Sequence, residues 1–168
     1  KPDYTEAYSS LGNTLKSKGD LVGAIDSYKQ AIRNKPDFAE VYYNMALTLH
    51  QKKELDPALV SSKRAIKIKP EYAEAHFTMG NVLKDKGELD AAIESYKEAI
   101  KIHPDYAAAY NNMGNVLRDN FKLIPAIESY KQALKIKPEY SSAYWNLSGC
   151  ALDISEAKTW VKKCLEVD

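Results

Sequence analysis

The chain has 168 residues, of which 45% are hydrophobic and 28% are charged, and its formal net charge is +1. This balance creates no overall field that would attract nucleic acid or a membrane surface. No apolar run approaches the roughly 18 residues that can span a bilayer, and no signal-peptide pattern is present. We therefore expect a cytoplasmic protein without nucleic-acid or membrane partners.

One pattern returns every 34 residues, in which a proline is followed by an acid and then by an aromatic residue. The prolines are Pro2, Pro36, Pro70, Pro104 and Pro138. A fixed period of this length is typical of solenoids built from stacked supersecondary units. The pattern predicts one array over residues 1–168. Its units are residues 5–38, 39–72, 73–106, 107–140 and 141–168.

Each unit is predicted to form two amphipathic helices. In the first unit, Tyr8, Leu11 and Leu15 lie at helical spacing, as do Leu21 and Tyr28 further along. A Lys-Gly-Asp or Lys-Gly-Glu turn separates the two stretches. We expect its glycine to adopt a positive φ and its acid to favour the start of the second helix. The proline that follows each second helix ends it.

Two units depart from this pattern. The second unit has Ala46, Lys53 and Ser62 where its neighbours have glycine, glycine and tyrosine, so we expect it to pack less tightly. The fourth unit has Asn120-Phe121 at its turn. Here we expect Asn120 to adopt the left-handed conformation and Phe121 to be exposed.

The fifth unit is shorter than the others. Its first helix is predicted around residues 143–152, and its second helix is predicted to be capped by Asp153 or Ser155. Cys150 and Cys164 are assigned to the two helices of this pair. Burial as small apolar residues is the favoured interpretation, and a disulfide between them is the alternative.

Small and aromatic residues recur in fixed columns along the units. The columns are Ala24, Ala58, Ala92 and Ala126; Ala31, Ala65, Ala99 and Ala133; Gly12, Gly80 and Gly114; and Tyr28, Tyr96 and Tyr130. Small residues in such columns allow two helix backbones to approach closely. These columns resemble the tetratricopeptide repeat (TPR) family over essentially the whole chain.

The resemblance implies an all-α fold, a right-handed α-solenoid of stacked antiparallel helix pairs whose last unit is shortened. The array is similar in style to the TPR superhelix of the O-GlcNAc transferases. An unrelated helical bundle with a repetitive sequence is the alternative.

The two ends of the chain match positions within the repeat. Residues 1–4 match the tail of a preceding unit and include no initiator methionine, and Asp168 stands just before the place of another proline. We therefore expect a fragment of a longer protein. No polar capping unit precedes the first repeat, so self-association through uncapped repeat ends is one predicted mode of partnering.

The resemblance also implies that the first helices line a concave groove. Asparagines recur on these helices, at Asn13, Asn44, Asn81, Asn112, Asn115 and Asn146. Asparagine is a poor helix former, and its amide both donates and accepts hydrogen bonds. Two interpretations stay open: the amides grip the backbone of an extended peptide, as the asparagine ladders of TPR grooves do, or they bridge neighbouring helices.

Aromatic and cationic side chains are predicted on the same face. The aromatic residues are Tyr43, Phe77 and Trp145, and the cations, all at the twelfth position of a unit, are Lys16, His50, Lys84 and Arg118. Aromatic side chains are favoured anchors at interfaces, although partial burial between first helices is the favoured interpretation of Phe77. Acids alternate with these cations along the groove, which suits a peptide of mixed charge.

Patterns that indicate other chemistry are missing from the sequence. It has no glycine-rich phosphate loop, Cys-x-x-Cys or His-Glu-x-x-His, and its three histidines fall in three different columns. We therefore predict no catalytic residue, metal or cofactor. Lysine and arginine recur on the second helices in a lysine stripe, at Lys29, Lys63, Lys97, Lys131, Arg33, Lys67, Lys101 and Lys135. An acid stands three residues before some of these lysines, as Asp26 does before Lys29, so the stripe is interpreted as a solvated face. Co-chaperone TPR domains hold the C-terminal carboxylate of heat-shock chaperones with a clamp that needs lysine and arginine on the first helices. Those cations are missing at the matching positions here, so no site for a chaperone C-terminus is predicted.

The functional prediction is a non-catalytic protein–protein interaction module that binds an extended peptide or partner helix in its groove. Two alternatives remain open. One is a substrate-recruiting arm of a larger, glycosyltransferase-like enzyme, and the other is a self-assembling scaffold.

Overall fold

The computed structural model describes residues 4–151 and 154–167, and all regular structure in these ranges is α-helical. The ten helices of the described residues are α1 (Thr5–Ser17), α2 (Leu21–Asn34), α3 (Ala39–Gln51), α4 (Leu55–Ile68), α5 (Ala73–Asp85), α6 (Leu89–Ile102), α7 (Ala107–Asp119), α8 (Leu123–Ile136), α9 (Ser141–Ser148) and α10 (Ile154–Val167). The odd-numbered helices are the first helices of the predicted units. The chain is therefore an all-α protein built from helix pairs.

The chain divides into two compact units, each larger than one repeat. From here on, unit 1 and unit 2 mean these two parts, and the five sequence units are called the first to fifth repeats. Unit 1 comprises residues 1–87 and contains α1–α5, and unit 2 comprises residues 88–168 and contains α6–α10. Within unit 1, α1 packs on α2 and α3 on α4, and each pair contacts the next first helix. Within unit 2, α7 packs on α8 and α9 on α10. This is the stacked-pair arrangement that the periodicity predicts.

The turns between paired helices follow the glycine prediction with one correction. Gly19 and Gly87 have φ values of +83° and +80°, as expected. In the fourth repeat, however, Asn120 keeps a φ of −94° and Phe121 adopts the positive φ, +58°. The prediction for Asn120 is therefore wrong by one residue. It is Phe121 that follows the helix C-cap, at the position that Gly19 occupies in the first repeat, and its ring is 93% exposed, as expected.

Tyrosine packed against glycine forms the centre of the regular helix pairs. Tyr28 and Tyr130 are fully buried, and each ring lies against the backbone of the partner helix at Gly12 or Gly114. The two alanine columns are also fully buried within the units, at Ala24, Ala31, Ala58, Ala65, Ala92, Ala99, Ala126 and Ala133. Close backbone approach at these residues builds the core, as the small columns indicate.

In the second repeat, different residues fill the positions of the packed glycine and tyrosine. Ala46 and Ser62 occupy the glycine and tyrosine positions, and both are fully buried. The Ser62 hydroxyl donates to the carbonyl oxygen of Ala58 at 3.0 Å within its own helix. A larger residue on one helix thus accompanies a smaller one on the other, which conserves volume across the interface.

The last repeat requires three corrections. Helix α9 has only eight residues and ends at Ser148, earlier than predicted. Cys150 therefore lies beyond α9, in the turn that follows it. Ser155 lies inside α10 and not at its N-cap, whereas Asp153, the other predicted cap, lies outside the described residues. Both cysteines are buried and free, without a disulfide.

Candidate functional site

Two of the predicted asparagines are held by tyrosines of their own helix pairs. The Tyr28 hydroxyl donates to Asn13 Oδ1 at 2.8 Å, and the Tyr130 hydroxyl donates to Asn115 Oδ1 at 2.9 Å. Burial raises the pKa of both phenols, so each hydroxyl keeps the proton that it donates. The carbonyl side of each amide is thus engaged, and its NH₂ group remains a donor for a further partner.

In the second repeat the tyrosine, the asparagine and the glycine are all replaced. Where Ser62 replaces the tyrosine, Leu47 replaces the asparagine and Ala46 replaces the glycine. The three positions therefore change together inside one chain. For Asn13 and Asn115, the structure supports the interpretation that the amides bridge helices, while the unused NH₂ groups leave peptide contact open.

A second set of asparagines forms a hydrogen-bonded chain in unit 2. Asn146 Nδ2 donates to Asn111 Oδ1 at 3.0 Å, which connects α9 to α7. Asn111 Nδ2 in turn donates to Asn112 Oδ1 at 3.4 Å. Asn111 is buried, with 4% of its surface exposed, and it was missed as a site residue. It lies at the same position of the repeat as Tyr43, Phe77 and Trp145, but it was passed over because the residues predicted at that position are aromatic and no other repeat has asparagine there.

These residues line an open cleft of about 600 Å³ in unit 2, which we call the asparagine cleft. Its lining residues are Asn111, Asn112, Asn115, Tyr140, Ser141, Ser142, Trp145, Asn146 and Cys164. The cleft brings together four of the predicted site residues: Asn112, Asn115, Trp145 and Asn146. The Trp145 side chain is 64% exposed, so it offers apolar surface without being used in the core.

Helix α10 closes one side of the asparagine cleft through Cys164. The Cys164 thiol donates to the carbonyl oxygen of Ser141, with an Sγ–O distance of 3.4 Å. This contact ties α10 to the first residue of α9, the helix that carries Trp145 and Asn146. Burial raises the pKa of the other thiol, Cys150, which favours the protonated, unreactive form.

In unit 1 the predicted site residue Tyr43 packs against a second aromatic ring. The Tyr43 and Tyr72 ring centroids are 5.1 Å apart, with planes tilted by 46°, and the Lys69 ammonium lies 4.7 Å from the Tyr72 centroid. Burial, together with the negative charge of Glu74, raises the pKa of Tyr43. Tyr43 is therefore half-buried and already in contact with its neighbour.

Two of the predicted cations of unit 1, His50 and Lys84, lie beside one carboxylate, that of Asp85. His50 Nε2 lies 2.8 Å from Asp85 Oδ2, Lys84 Nζ lies 3.3 Å from Asp85 Oδ1, and Lys53 Nζ lies 3.8 Å from Asp85 Oδ2. Burial opposes the ionisation of Asp85, but the hydrogen bond from His50 and the positive charge of Lys84 outweigh it and lower the pKa. Asp85 thus connects α3 to α5 and occupies side-chain groups of two predicted site residues, His50 and Lys84.

The remaining predicted residues have different environments. Arg118 pairs with Asp119, with Nη2 3.3 Å from Oδ1. Asn44 is half-buried, and its backbone carbonyl accepts the Thr48 hydroxyl at 2.8 Å. Phe77 and Asn81 are half-buried on α5. Lys16 is half-buried near the end of α1, where burial lowers the pKa of its ammonium.

A larger cavity of about 910 Å³ lies on the side of the second helices in unit 2 and was not predicted. Its apolar lining comes from Ile93, Tyr110, Met113, Leu117 and Pro125. Lys97, on its rim, is paired with Glu94 at 2.7 Å, in agreement with the interpretation of the lysine stripe as a solvated face. No group of three metal-ligating side chains occurs in residues 4–151 and 154–167, and none of the described helices is long and apolar enough to cross a bilayer.

Family models identify the chain. The model described as TPR repeat matches residues 12–53, 47–87 and 80–120, and the model described as tetratricopeptide repeat matches residues 107–140. The chain belongs to the tetratricopeptide repeat family. This confirms the family resemblance and the all-α solenoid class. No curated protein sequence matches the chain significantly.

Several solved TPR structures share the fold. A crystal structure of MamA is 29% identical, with a TM-score of 0.86 and coverage of 94% of each chain. YrrB, described as a TPR protein with an unusual peptide-binding site, is 18% identical, with a TM-score of 0.77 and coverage of 96% of this chain and 84% of its own. PilF of Pseudomonas aeruginosa is 17% identical, with a TM-score of 0.88 and coverage of 98% and 76%.

Proposed function

We propose that this TPR protein is a non-catalytic interaction module that binds an extended peptide or partner helix on its first-helix face, and that the asparagine cleft of unit 2 is a main contact site. The observation that carries this proposal is the hydrogen-bonded chain through the buried Asn111 in the wall of an open cleft. A buried amide with satisfied hydrogen bonds holds the neighbouring amides in fixed orientations. Fixed polar groups in a cleft lower the entropic cost of binding.

The cleft offers the two kinds of hydrogen-bonding group that a peptide backbone requires. Asn115 accepts the Tyr130 hydroxyl through Oδ1, so its NH₂ group can donate to a peptide carbonyl. Asn146 donates through Nδ2 to Asn111, so its Oδ1 can accept from a peptide N–H. A donor and an acceptor fixed in this way recognise the main chain and are indifferent to the side-chain sequence of the ligand.

Trp145 supplies the apolar part of the proposed contact. Its ring is 64% exposed in the free protein, and tryptophan is enriched among the residues that dominate interface energies. A ligand that covers this ring would add hydrophobic stabilisation to the backbone hydrogen bonds. The peptide-binding site described for YrrB, a protein of the same fold, supports this class of ligand.

The test is a selection from a random twelve-residue peptide library displayed on phage, followed by titration of the enriched peptides. Trp160→Phe leaves Trp145 as the only tryptophan, so its fluorescence reports directly on the cleft. We expect the emission to shift to the blue when a peptide binds. We also expect Asn146→Ala, followed by the same emission, and Trp145→Ala, followed by titration calorimetry because it lacks the reporter ring, each to weaken binding about tenfold or more, as loss of a central interface contact does.

Two matched variants control for non-specific effects. Phe121→Ala removes another exposed aromatic ring, and Asn34→Ala removes an exposed asparagine at the end of α2. Both should bind the selected peptides as the unaltered protein does. The proposal fails if no peptide is enriched, or if the cleft variants bind the enriched peptides as well as the controls do.

A further inference from the structure

Two clefts on the side of the second helices in unit 2 meet at one tyrosine ring. The larger, of about 910 Å³, has Leu117 in its apolar floor, and the smaller, of about 460 Å³, is lined by Asp105 and Ile136. Tyr110 and Gln132 line both clefts. The two clefts therefore adjoin at this pair of residues, and together we call them the second-helix groove.

The second-helix groove and the asparagine cleft lie on different faces of α7. Tyr110, Met113 and Leu117, which line the groove, are spaced three and four residues apart and so share one face of the helix. Asn112 and Asn115 line the asparagine cleft, and none of the described residues lines both. The groove is therefore a surface of its own.

In unit 1 the matching tyrosine is covered by an arginine. Two repeats before Tyr110 and Gln132, the same positions hold Tyr42 and Arg64. The guanidinium carbon of Arg64 lies 5.9 Å from the centroid of the Tyr42 ring, within the range in which an aromatic ring attracts a cation. At one of these two places the chain therefore supplies the arginine itself.

In unit 2 the same ring is left open. Gln132 is shorter than arginine and uncharged, and none of the described residues places a cation or an aromatic ring over Tyr110. The space differs in the same sense. The cleft lined by Ile25 in unit 1 measures about 120 Å³, whereas the larger cleft of unit 2, lined by the matching Ile93, measures about 910 Å³. A side chain from another molecule can therefore reach the Tyr110 ring.

The groups beside the Tyr110 ring suit a guanidinium. Asp105 lines the same cleft as the ring and is exposed, and its carboxylate pairs with none of the described side chains. A ring face and a carboxylate together match arginine, whose planar group stacks on aromatic rings and donates several hydrogen bonds at once. Lys135 also lines this cleft, but its exposed side chain is free to extend into solvent.

The larger cleft offers apolar contact. Two of its charged pairs are closed within the chain, Lys97 with Glu94 at 2.7 Å and Lys122 with Asp90 at 3.1 Å. Its floor includes the half-buried Met113. The hydrocarbon stem of an arginine and a neighbouring apolar side chain would both be removed from water on such a floor.

We propose that the second-helix groove binds an arginine side chain of a protein partner, which stacks on Tyr110 and directs its guanidinium to Asp105, while an adjacent apolar side chain of the same partner packs on Met113 and Leu117. The internal pair of Arg64 and Tyr42 is the model for this contact. The groove thus gives the protein a second interaction surface, which does not depend on peptide binding in the asparagine cleft.

The test selects peptides from the random library on the chain with Trp145→Ala and Asn146→Ala, which lacks main contacts of the asparagine cleft. The enriched peptides are then sorted by whether Gln132→Arg weakens them, because this substitution recreates the arginine of unit 1 and should fill the groove from within. We expect a sensitive class that carries an arginine next to an apolar residue. Replacing that arginine by citrulline, which has nearly the same shape without the charge, should weaken binding about tenfold in titration calorimetry.

Single substitutions locate the contact. Tyr110→Leu should also weaken these peptides about tenfold, and citrulline should then cost no further affinity, because the contact between ring and arginine is already lost. Tyr42→Leu and Gln30→Arg are the matched controls in unit 1. The first removes a ring that Arg64 covers, and the second adds an arginine at the position that Gln132 occupies in its repeat. Both should bind the peptides as the unaltered protein does.

Several outcomes would overturn the arginine site. They are a library without any peptide sensitive to Gln132→Arg, a sensitive class without arginine, and equal binding of the arginine and citrulline peptides. Acidic peptides that lose binding on Lys131→Ala or Lys135→Ala would assign the groove to the opposite charge and overturn it too. Because the selection is made without Trp145 and Asn146, these outcomes leave the function proposed for the asparagine cleft intact, and failure of that function leaves the arginine site intact.

Discussion

The ring of Tyr28 occupies the space that a side chain at Gly12 would need. A β-carbon added at Gly12 would lie 2.5 Å from Tyr28 Cε1, and one added at Gly114 would lie 2.5 Å from Tyr130 Cε1. Both distances are well below van der Waals contact, and both rings are fully buried. The glycines are therefore required by close packing between paired helices, and not by backbone conformation.

Gly12→Ala should destabilise unit 1. Alanine is the better helix former by about 1 kcal/mol, but overpacking of a buried site costs about 1 to 3 kcal/mol, so we expect a net loss of up to about 2 kcal/mol. Urea denaturation measures it. Gly149→Ala is the control, because its β-carbon would meet only the Asn146 carbonyl oxygen at an ordinary 3.6 Å. A Gly12→Ala protein as stable as Gly149→Ala would contradict the packing argument.

Ser62→Tyr should be tolerated only when its surroundings change with it. The second repeat has Ala46 and Leu47 where repeats with tyrosine have glycine and asparagine. Alone, Ser62→Tyr should lower the free energy of unfolding by about 1 to 3 kcal/mol. Combined with Ala46→Gly and Leu47→Asn, it should recover most of that loss. The measurement is a thermodynamic cycle by urea denaturation, and additive effects would show that the three positions are independent.

Phe121→Gly should stabilise the protein although it removes an aromatic ring. Phe121 has a φ of +58°, a conformation that costs a residue with a β-carbon about 1 kcal/mol relative to glycine, and its ring is 93% exposed. We expect a gain of about 1 kcal/mol in the free energy of unfolding. Phe121→Ala keeps the β-carbon and should show little gain. Equal effects of the two substitutions would assign the change to the ring and not to the backbone.

Asp85 should make the stability of unit 1 depend on pH. Because its folded-state pKa is lowered, it stabilises the fold above the unfolded-state pKa of about 3.9, and this contribution is lost as pH falls through the folded-state value. The difference in unfolding free energy between the unaltered protein and Asp85→Asn should be largest near neutral pH and shrink below about pH 4. A difference that is constant with pH would refute the prediction.

The period of the sequence was sufficient to predict the helix pairs and their close packing. Proline, glycine and alanine act through backbone geometry that is the same in every repeat, so averaging over repeats strengthens their signal. The same averaging concealed features unique to one repeat. Asn111 is such a feature, because no other repeat has asparagine at its position. The positive φ of Phe121, by contrast, falls at the position of Gly19, Lys53 and Gly87, so the place in the turn determines it and not the residue type.

The site residues could be assigned to a helix face but not to their hydrogen-bonding partners. At the ninth position of their repeats, Asn13 and Asn115 accept from tyrosine. At the sixth position, Asn112 and Asn146 belong to the hydrogen-bonded chain through Asn111. Side-chain type and helical spacing do not distinguish these two roles. The contacts of Asp85 with His50 and Lys84 likewise depend on distances between side chains, which the repeat period leaves undetermined.

Tyr28 takes both its space and its hydrogen-bond acceptor from the helix before it in the chain. A whole repeat can therefore be exchanged, duplicated or deleted as a cassette without separating the tyrosine from its glycine and asparagine. A boundary placed between α1 and α2 would divide the three residues among different cassettes. For construction of chimaeric arrays from this chain, the proline-marked junction before each first helix is the boundary that preserves them.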